Sequence, residues 1–239
     1  MVKNFLVSDY DGTYKMKPTL LDDLKKNNFA VQRFIDKGNI FMMATGRVFE
    51  SIHKEFIEFD LKANYISCAD ANVLFNNNFE LLYYNTISKQ DILKIKDYYK
   101  LFDEMIGKDP YSNVSSENVV EYNIRYKDEK SKRIFVEHLR HNKLFAFYHD
   151  PSDSLNAHLF DRRNDKVKAI QFVATLENIP KDKIYTIGDG YNDLSMIEAF
   201  NGFAIKNAKD AAKYESLGVY DTVSDLIDGI EKENAPKRQ

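Results

Sequence analysis

Two aspartates two residues apart, Asp9 and Asp11, follow directly on a short apolar run at residues 4–8, and the segment continues as Gly12-Thr13. On an extended backbone such residues share a face, so both carboxylates can flank one reaction centre. A second apolar run, 40–44, ends in Thr45-Gly46-Arg47, and a third, 184–187, ends in Gly188-Asp189-Gly190-Tyr191-Asn192-Asp193. Lys166, in Asp165-Lys166-Val167-Lys168, adds a cation. Carboxylates, a hydroxyl and an ammonium together suit a site that holds an anionic group beside a cation. Taken singly, each feature is ordinary. Asp before Gly forms turns, Asp193 is a good helix cap, and a lone lysine belongs to a solvated face. The ligands that would complete a calcium loop after Asp11-Gly12 are missing.

These groups can meet only if the strands that end in them lie side by side, because ligands of open parallel sheets gather outside the carboxyl ends of the strands. The pattern supports that. Leu20, Leu21, Leu24, Ala30, Val31, Phe34 and Ile35 recur at helical spacing over 19–37, with Thr19 as a cap and Gly38 as a stop. Helical spacing returns at Val48, Ile52, Phe56 and Phe59, before a strand at 65–68. Toward the end, strand 184–187, helix 193–200, strand 203–205 and helix 208–215 repeat the alternation. The expected class is α/β, a doubly wound parallel sheet. Between the two halves the order changes to a hairpin over 73–84, helices at 88–102 and 130–141, and strands at 119–126, 144–148 and 155–161. This predicts an inserted α+β cap at 79–157 in a core made of 1–78 and 158–239, with a frayed tail from 231.

With 239 residues, 44% hydrophobic and 30% charged, the chain can bury a sizeable core. A net charge of -3 gives no reason to expect nucleic acid or an anionic membrane as partner. One cysteine, Cys68, excludes an intrachain disulfide, and no apolar run is long enough to span a bilayer. The expectation is a cytoplasmic protein, monomer or weak homodimer, acting on a small molecule.

In this order, the four segments resemble the haloacid-dehalogenase-like superfamily, specifically its Cof-type phosphatases. Asp9-Tyr10-Asp11-Gly12-Thr13 resembles the first motif, Thr45 in Ala44-Thr45-Gly46-Arg47 the second, Lys166 the third, and Gly188 to Asp193 the fourth. Phe203-Ala204-Ile205-Lys206-Asn207-Ala208 also looks like that subfamily. The resemblance implies a Mg2+-dependent phosphatase that hydrolyses small phosphate esters, sugar phosphates being the commonest class. Asp9 would be the nucleophile that forms an aspartyl-phosphate, and Asp11 the general acid/base. Asp9, the backbone carbonyl of Asp11 and Asp189 would hold the metal, with Asp193 on its waters. Thr45, Gly46, Arg47, Lys166 and Asn192 would bind phosphate, although Arg47 equally suits an ion pair and Lys168 rivals Lys166. A cap inserted after Thr45 would close over the site and select the substrate. Lys108, Arg125, Arg133, His149, His158 and Arg162 could serve there or form a solvated face. Other readings are a phosphoacceptor signalling module, which Asp11, placed to activate water, disfavours; a mutase, whose lid would be expected before Thr45; and a catalytically silent homologue, which would be expected to lose Asp9 or Asp11. Ala69-Asp70-Ala71-Asn72 lacks the glycine such proteins commonly carry after the third strand, so a different backbone is expected there.

Overall fold

The structure, a computed structural model, describes residues 3–16, 21–69, 71–111, 118–142, 145–149, 153–161, 165–233 and 235–238. The core elements are β1 (Phe5–Ser8), α1 (Leu21–Asp36), β2 (Ile40–Ala44), α2 (Phe49–Glu58), β3 (Tyr65–Cys68), β4 (Val73–Asn76) and β5 (Leu81–Tyr84). The insert follows with α3 (Lys89–Ile95), β6 (Phe102–Lys108), β7 (Glu121–Tyr126), α4 (Glu129–Asn142), β8 (Phe145–His149) and β9 (Asn156–Asp161). The chain returns through α5 (Lys166–Leu176), β10 (Ile184–Gly188), α6 (Leu194–Ala199), β11 (Asn201–Ile205), α7 (Asp210–Glu215), β12 (Val219–Tyr220) and α8 (Val223–Glu231).

The core sheet has eight strands in the order β12-β11-β10-β1-β2-β3-β4-β5. Its burial alternates with the pleat. Leu6, Phe41 and Met43 pack on one face with α1, α2 and α8, while Phe5, Val7, Ile40 and Met42 pack on the other with α5. Both faces are covered, so the strands read as continuous apolar runs. From β1 the chain winds to β2 and β3 on one side and later to β10 and β11 on the other. The crevice where the winding reverses lies between β1 and β10, whose ends carry Asp9 and Asp189.

The sheet is not parallel throughout. β3 pairs antiparallel with β4, and β4 with β5, because the connections, residues 69–72 and 77–80, are too short for a crossover. Asn76 Oδ1 closes the second of these by accepting from the Asn78 and Glu80 amides. β5 therefore belongs to the core sheet, and the sheet boundary falls after Tyr84 rather than at 79. At the other end β9 pairs in the second sheet, so the insert runs to Asp161 rather than 157.

That second sheet is antiparallel, β6-β7-β9-β8, and α3 and α4 cover one of its faces through Ile95, Phe135 and Leu139. The expected helix 88–102 is shorter, ending in a 3-10 turn (Lys96–Leu101), and β6 lies where no strand was expected. Thr19, the expected cap of α1, lies outside the described residues, whereas Gly38 takes φ +83° as the helix stop. The tail is not frayed over 235–238. Arg238 donates to the carbonyls of Phe200, Ile197 and Glu215, tying the end of the chain to α6 and α7.

Candidate active site

β1 and β10 are register-paired as far as Ser8 and Ile187, and the Asp9 amide donates to the Ile187 carbonyl at 3.0 Å. This places Asp9, Asp189 and Asp193 together, with one carboxylate oxygen of each within 4.8 Å of the others. Lys166 is buried among them, its Nζ 2.7 Å from Asp9 Oδ1 and 2.6 Å from Asp193 Oδ1. Its place follows from the start of α5. Asp165 caps that helix by accepting from the Lys168 amide, so Lys166 is the first helical residue and turns inward while Lys168 is exposed. Asp193 Oδ2 accepts from the amides of Asp189 (3.0 Å) and Gly190 (2.9 Å), folding the loop after β10 back on itself. Burial pushes the Asp9 carboxyl well above the usual carboxylate range, the charges of Asp193 and Asp189 push the same way, and Lys166 only partly offsets them.

Close approach, rather than charge alone, dictates the glycines. Gly12 has φ +92°, and a Cβ there would lie 2.5 Å from Asp189 Oδ2. Thr13 Oγ1 donates to Asp189 Oδ1 at 3.3 Å from the same turn. Gly12→Ala is therefore expected to cost about 1–2 kcal/mol for the left-handed backbone and to displace Asp189 as well. Thermal melts of wild type and Gly12→Ala check this.

Asp11 sits on the outer side of the turn. Arg47 forks it, with Nε 2.6 Å from Oδ2 and Nη2 2.7 Å from Oδ1. Arg47 Nη1 also donates to Glu55 Oε1 at 2.8 Å, and Glu55 Oε2 receives Lys15 and the Tyr10 hydroxyl at 2.7 Å each. All three nitrogens of Arg47 are thus engaged by protein, which departs from the phosphate-binding role expected of it. Thr45 is buried and accepts the Arg47 amide at 3.1 Å, leaving its hydroxyl proton to donate. Gly46 is half-buried in that turn, and Asn192 is exposed at the rim.

A protein-family model for haloacid dehalogenase-like hydrolases matches residues 6–107 and 103–233, which is nearly the whole chain. The chain is a haloacid dehalogenase-like hydrolase. Solved structures similar to this hydrolase include a haloacid dehalogenase-like hydrolase of Bacteroides thetaiotaomicron (TM-score 0.76, 18% identity, covering 95% of this chain and 99% of the other). A HAD/COF-like hydrolase of Plasmodium vivax superposes with TM-score 0.75 at 18% identity, over 97% of this chain and 96% of the other. A second Bacteroides thetaiotaomicron protein, studied among phosphatases of the superfamily, gives TM-score 0.75 at 17% identity, over 98% and 96%. A protein of Mycoplasma capricolum subsp. capricolum is 23% identical over 88% of this chain and 95% of its own. No helix among the described residues is long and apolar enough to cross a membrane.

The donor set of this hydrolase fits a hard divalent cation. The donors are all carboxylate oxygens and they converge, and burial together with the neighbouring carboxylates holds Asp9 above the usual range despite Lys166. Asp193 already accepts three hydrogen bonds, so it braces the cluster more than it offers a free ligand. Where the glycine is missing after β3, Ala69 (φ 50°) and Ala71 (φ 72°) both adopt left-handed backbone. The Asn72 side chain holds this turn by donating to the Ala69 carbonyl at 2.7 Å, and Asp70 lies outside the described residues. Two positioning residues carry no motif. Asn27, fully buried in α1, donates to the Tyr14 carbonyl and accepts from the Ser224 amide, so it clamps the first loop to α8. Glu55 lies on α2 and Arg47 just before that helix begins, so the Arg47 side chain runs along α2 to reach Glu55.

Proposed function

We propose that this hydrolase cleaves small phosphate monoesters, with sugar phosphates as the leading class, through an aspartyl-phosphate on Asp9 and with magnesium as cofactor. What carries the reading is the meeting of Asp9, Asp189, Asp193 and Lys166 at the crevice between β1 and β10. Asp9, Asp189 and the backbone carbonyl of Asp11 would hold the magnesium. When bound, magnesium would supply positive charge that lets an anionic nucleophile approach an anionic ester.

An Asp9 oxygen attacks phosphorus, and the bond from phosphorus to the leaving oxygen breaks. Asp11 gives that oxygen its proton. It then takes a proton from the water that attacks phosphorus and frees Asp9. Lys166 and the Thr45 hydroxyl hold phosphoryl oxygens, with Gly46 and Asn192 at the rim. Arg47 donates to both Asp11 oxygens, so Asp11 must turn from Arg47 to reach the leaving oxygen. Arg47 is thereby assigned to Asp11 before substrate arrives, and phosphate contact is secondary.

The test is release of inorganic phosphate from a panel of phosphorylated metabolites and an aryl phosphate, with and without magnesium. Wild type should act only with the metal, and Asp11→Asn should lose about 10²–10⁴-fold. No release from any ester, or equal release by Asp11→Asn, would overturn the proposal.

A further inference from the structure

The carboxylate that would move protons is held by a network of core side chains. Asp11 receives Nε and Nη2 of Arg47, and the remaining nitrogen, Nη1, donates to Glu55 Oε1 at 2.8 Å. Glu55 Oε2 in turn accepts from Lys15 Nζ and from the Tyr10 hydroxyl, at 2.7 Å each. Tyr10 and Lys15 lie on either side of Asp11 in the chain, and the Lys15 amide donates to the Tyr10 carbonyl. One carboxylate on α2 therefore grips both ends of the loop that carries Asp11, and the arginine that forks it. Arg47 also lies over the Tyr10 ring and Lys15 over the Phe59 ring. The Glu55 side chain is 14% exposed and that of Arg47 26%, so these charge-assisted bonds are partly shielded from water.

Polar side chains of the insert are engaged elsewhere. Arg125 is tied to Asp153 and Asn156, His158 meets Glu121, and Arg133 is exposed on α4. The side chain of His149 and all of Arg162 lie outside the described residues.

Arg47 thus serves two carboxylates, and only one of them has chemistry to do. When Asp11 turns toward the ester, Arg47 loses the acceptors of two nitrogens. A partly buried guanidinium left with no carboxylate is costly, and that cost would hold Asp11 in place. Glu55 stays behind, because Lys15 and Tyr10 anchor it, and so Arg47 keeps a charged partner throughout.

We propose that Glu55 is a positioning residue for proton transfer: by sharing Arg47 it frees Asp11 to reach the leaving oxygen, and it keeps fixed the dock to which Asp11 returns. The proposal rests on the phosphatase reading and names what governs its acid step. In that step the electron pair of the breaking P–O bond goes to the leaving oxygen, which takes the Asp11 proton. An alkoxide needs that proton to depart. p-Nitrophenolate, a delocalised anion, does not.

The experiment compares kcat/KM for p-nitrophenyl phosphate with kcat/KM for the alkyl phosphate that wild type cleaves best. Departure of the alcohol or phenol is irreversible at initial rates, so kcat/KM reports the steps up to the aspartyl-phosphate. The proteins are wild type, Glu55→Gln, Tyr10→Phe, Asp11→Asn and the double variant Glu55→Gln with Asp11→Asn. Glu55→Gln should lose about 10–100-fold on the alkyl ester, the worth of a charged hydrogen bond, and less than about threefold on the aryl ester. Tyr10→Phe, which removes only one anchor of Glu55, should show the same split at smaller size. In the double variant Glu55→Gln should add little on the alkyl ester, because its effect runs through Asp11. Equal losses on both esters, no loss on either, or full additivity with Asp11→Asn would overturn the proposal, the first by reducing Glu55 to structural support. Wild type that cleaves no alkyl phosphate removes the phosphatase reading itself, and is told apart from these because it shows before any variant is made.

Discussion

Asp9→Asn is expected to lower phosphate release by at least about 10⁴-fold, the scale on which removing a nucleophile acts. The amide is nearly isosteric and keeps the backbone bond to Ile187, so the fold should survive. Stability should respond in an informative direction. Burial, Asp193 and Asp189 together raise the folded-state pKa of Asp9 above its unfolded value, despite Lys166. The stabilisation from its protonated form is present at low pH and is lost as pH rises through that raised value. Metal-free wild type should therefore lose stability over that rise, and Asp9→Asn should lack this contribution. Magnesium should restore wild type at the high end of the range and do little for the variant, because a ligand stabilises only what it binds. Melting curves across pH, with and without the metal, read all of this.

The second large effect belongs to Lys166. Its Nζ bridges Asp9 and Asp193, and all three are buried. Lys166→Met is expected to cost about 3–5 kcal/mol, because it leaves uncompensated carboxylates in the interior. Added magnesium should recover part of that loss by supplying charge to the same oxygens. Activity should fall about 10²–10³-fold even at saturating metal, since the phosphoryl oxygens lose a preorganised cation. Lys166→Arg should not rescue it, because a planar fork cannot occupy the position of a compact ammonium. Chemical denaturation and steady-state rates separate the two effects.

Much of this site can be read in the chain because strand ends in a doubly wound sheet are predictable places. Asp9, Thr45 and Asp189 each follow an apolar run, and β1, β2 and β10 are neighbours. Lys166 was harder to distinguish from Lys168, and what separates them is the cap at Asp165, a local signal present in the sequence. Arg47 is a different case. Its partners Asp11 and Glu55 come from the loop after β1 and from α2, and only the three-dimensional fold brings them to it. Asn27 gave no signal at all, since a buried amide that clamps two loops is indistinguishable in sequence from a surface one.

The misplaced elements have similar causes. β6, Phe-Asp-Glu-Met-Ile-Gly-Lys, shows little alternation because part of its length faces solvent at the edge of the second sheet. α8 carries its signals in the sequence. Thr222 caps it by accepting from the Asp225 amide, and Leu226, Ile227 and Ile230 form its buried stripe. The docked tail depends on Arg238 reaching carbonyls far away in sequence, which no local pattern encodes. The hairpin β4–β5 was recognised as a hairpin, but its membership of the core sheet is a tertiary fact.

The central claim is that Asp9 carries the phosphoryl group, and one measurement addresses it directly. The protein is mixed with p-nitrophenyl phosphate and magnesium, quenched in acid, and mapped by peptide mass. The expected result is a phosphoryl group on the Asp9 peptide, dependent on magnesium, persisting longer in Asp11→Asn and absent in Asp9→Asn. Phosphate released at the wild-type rate by Asp9→Asn, or a phosphoryl group on any other residue, would contradict it.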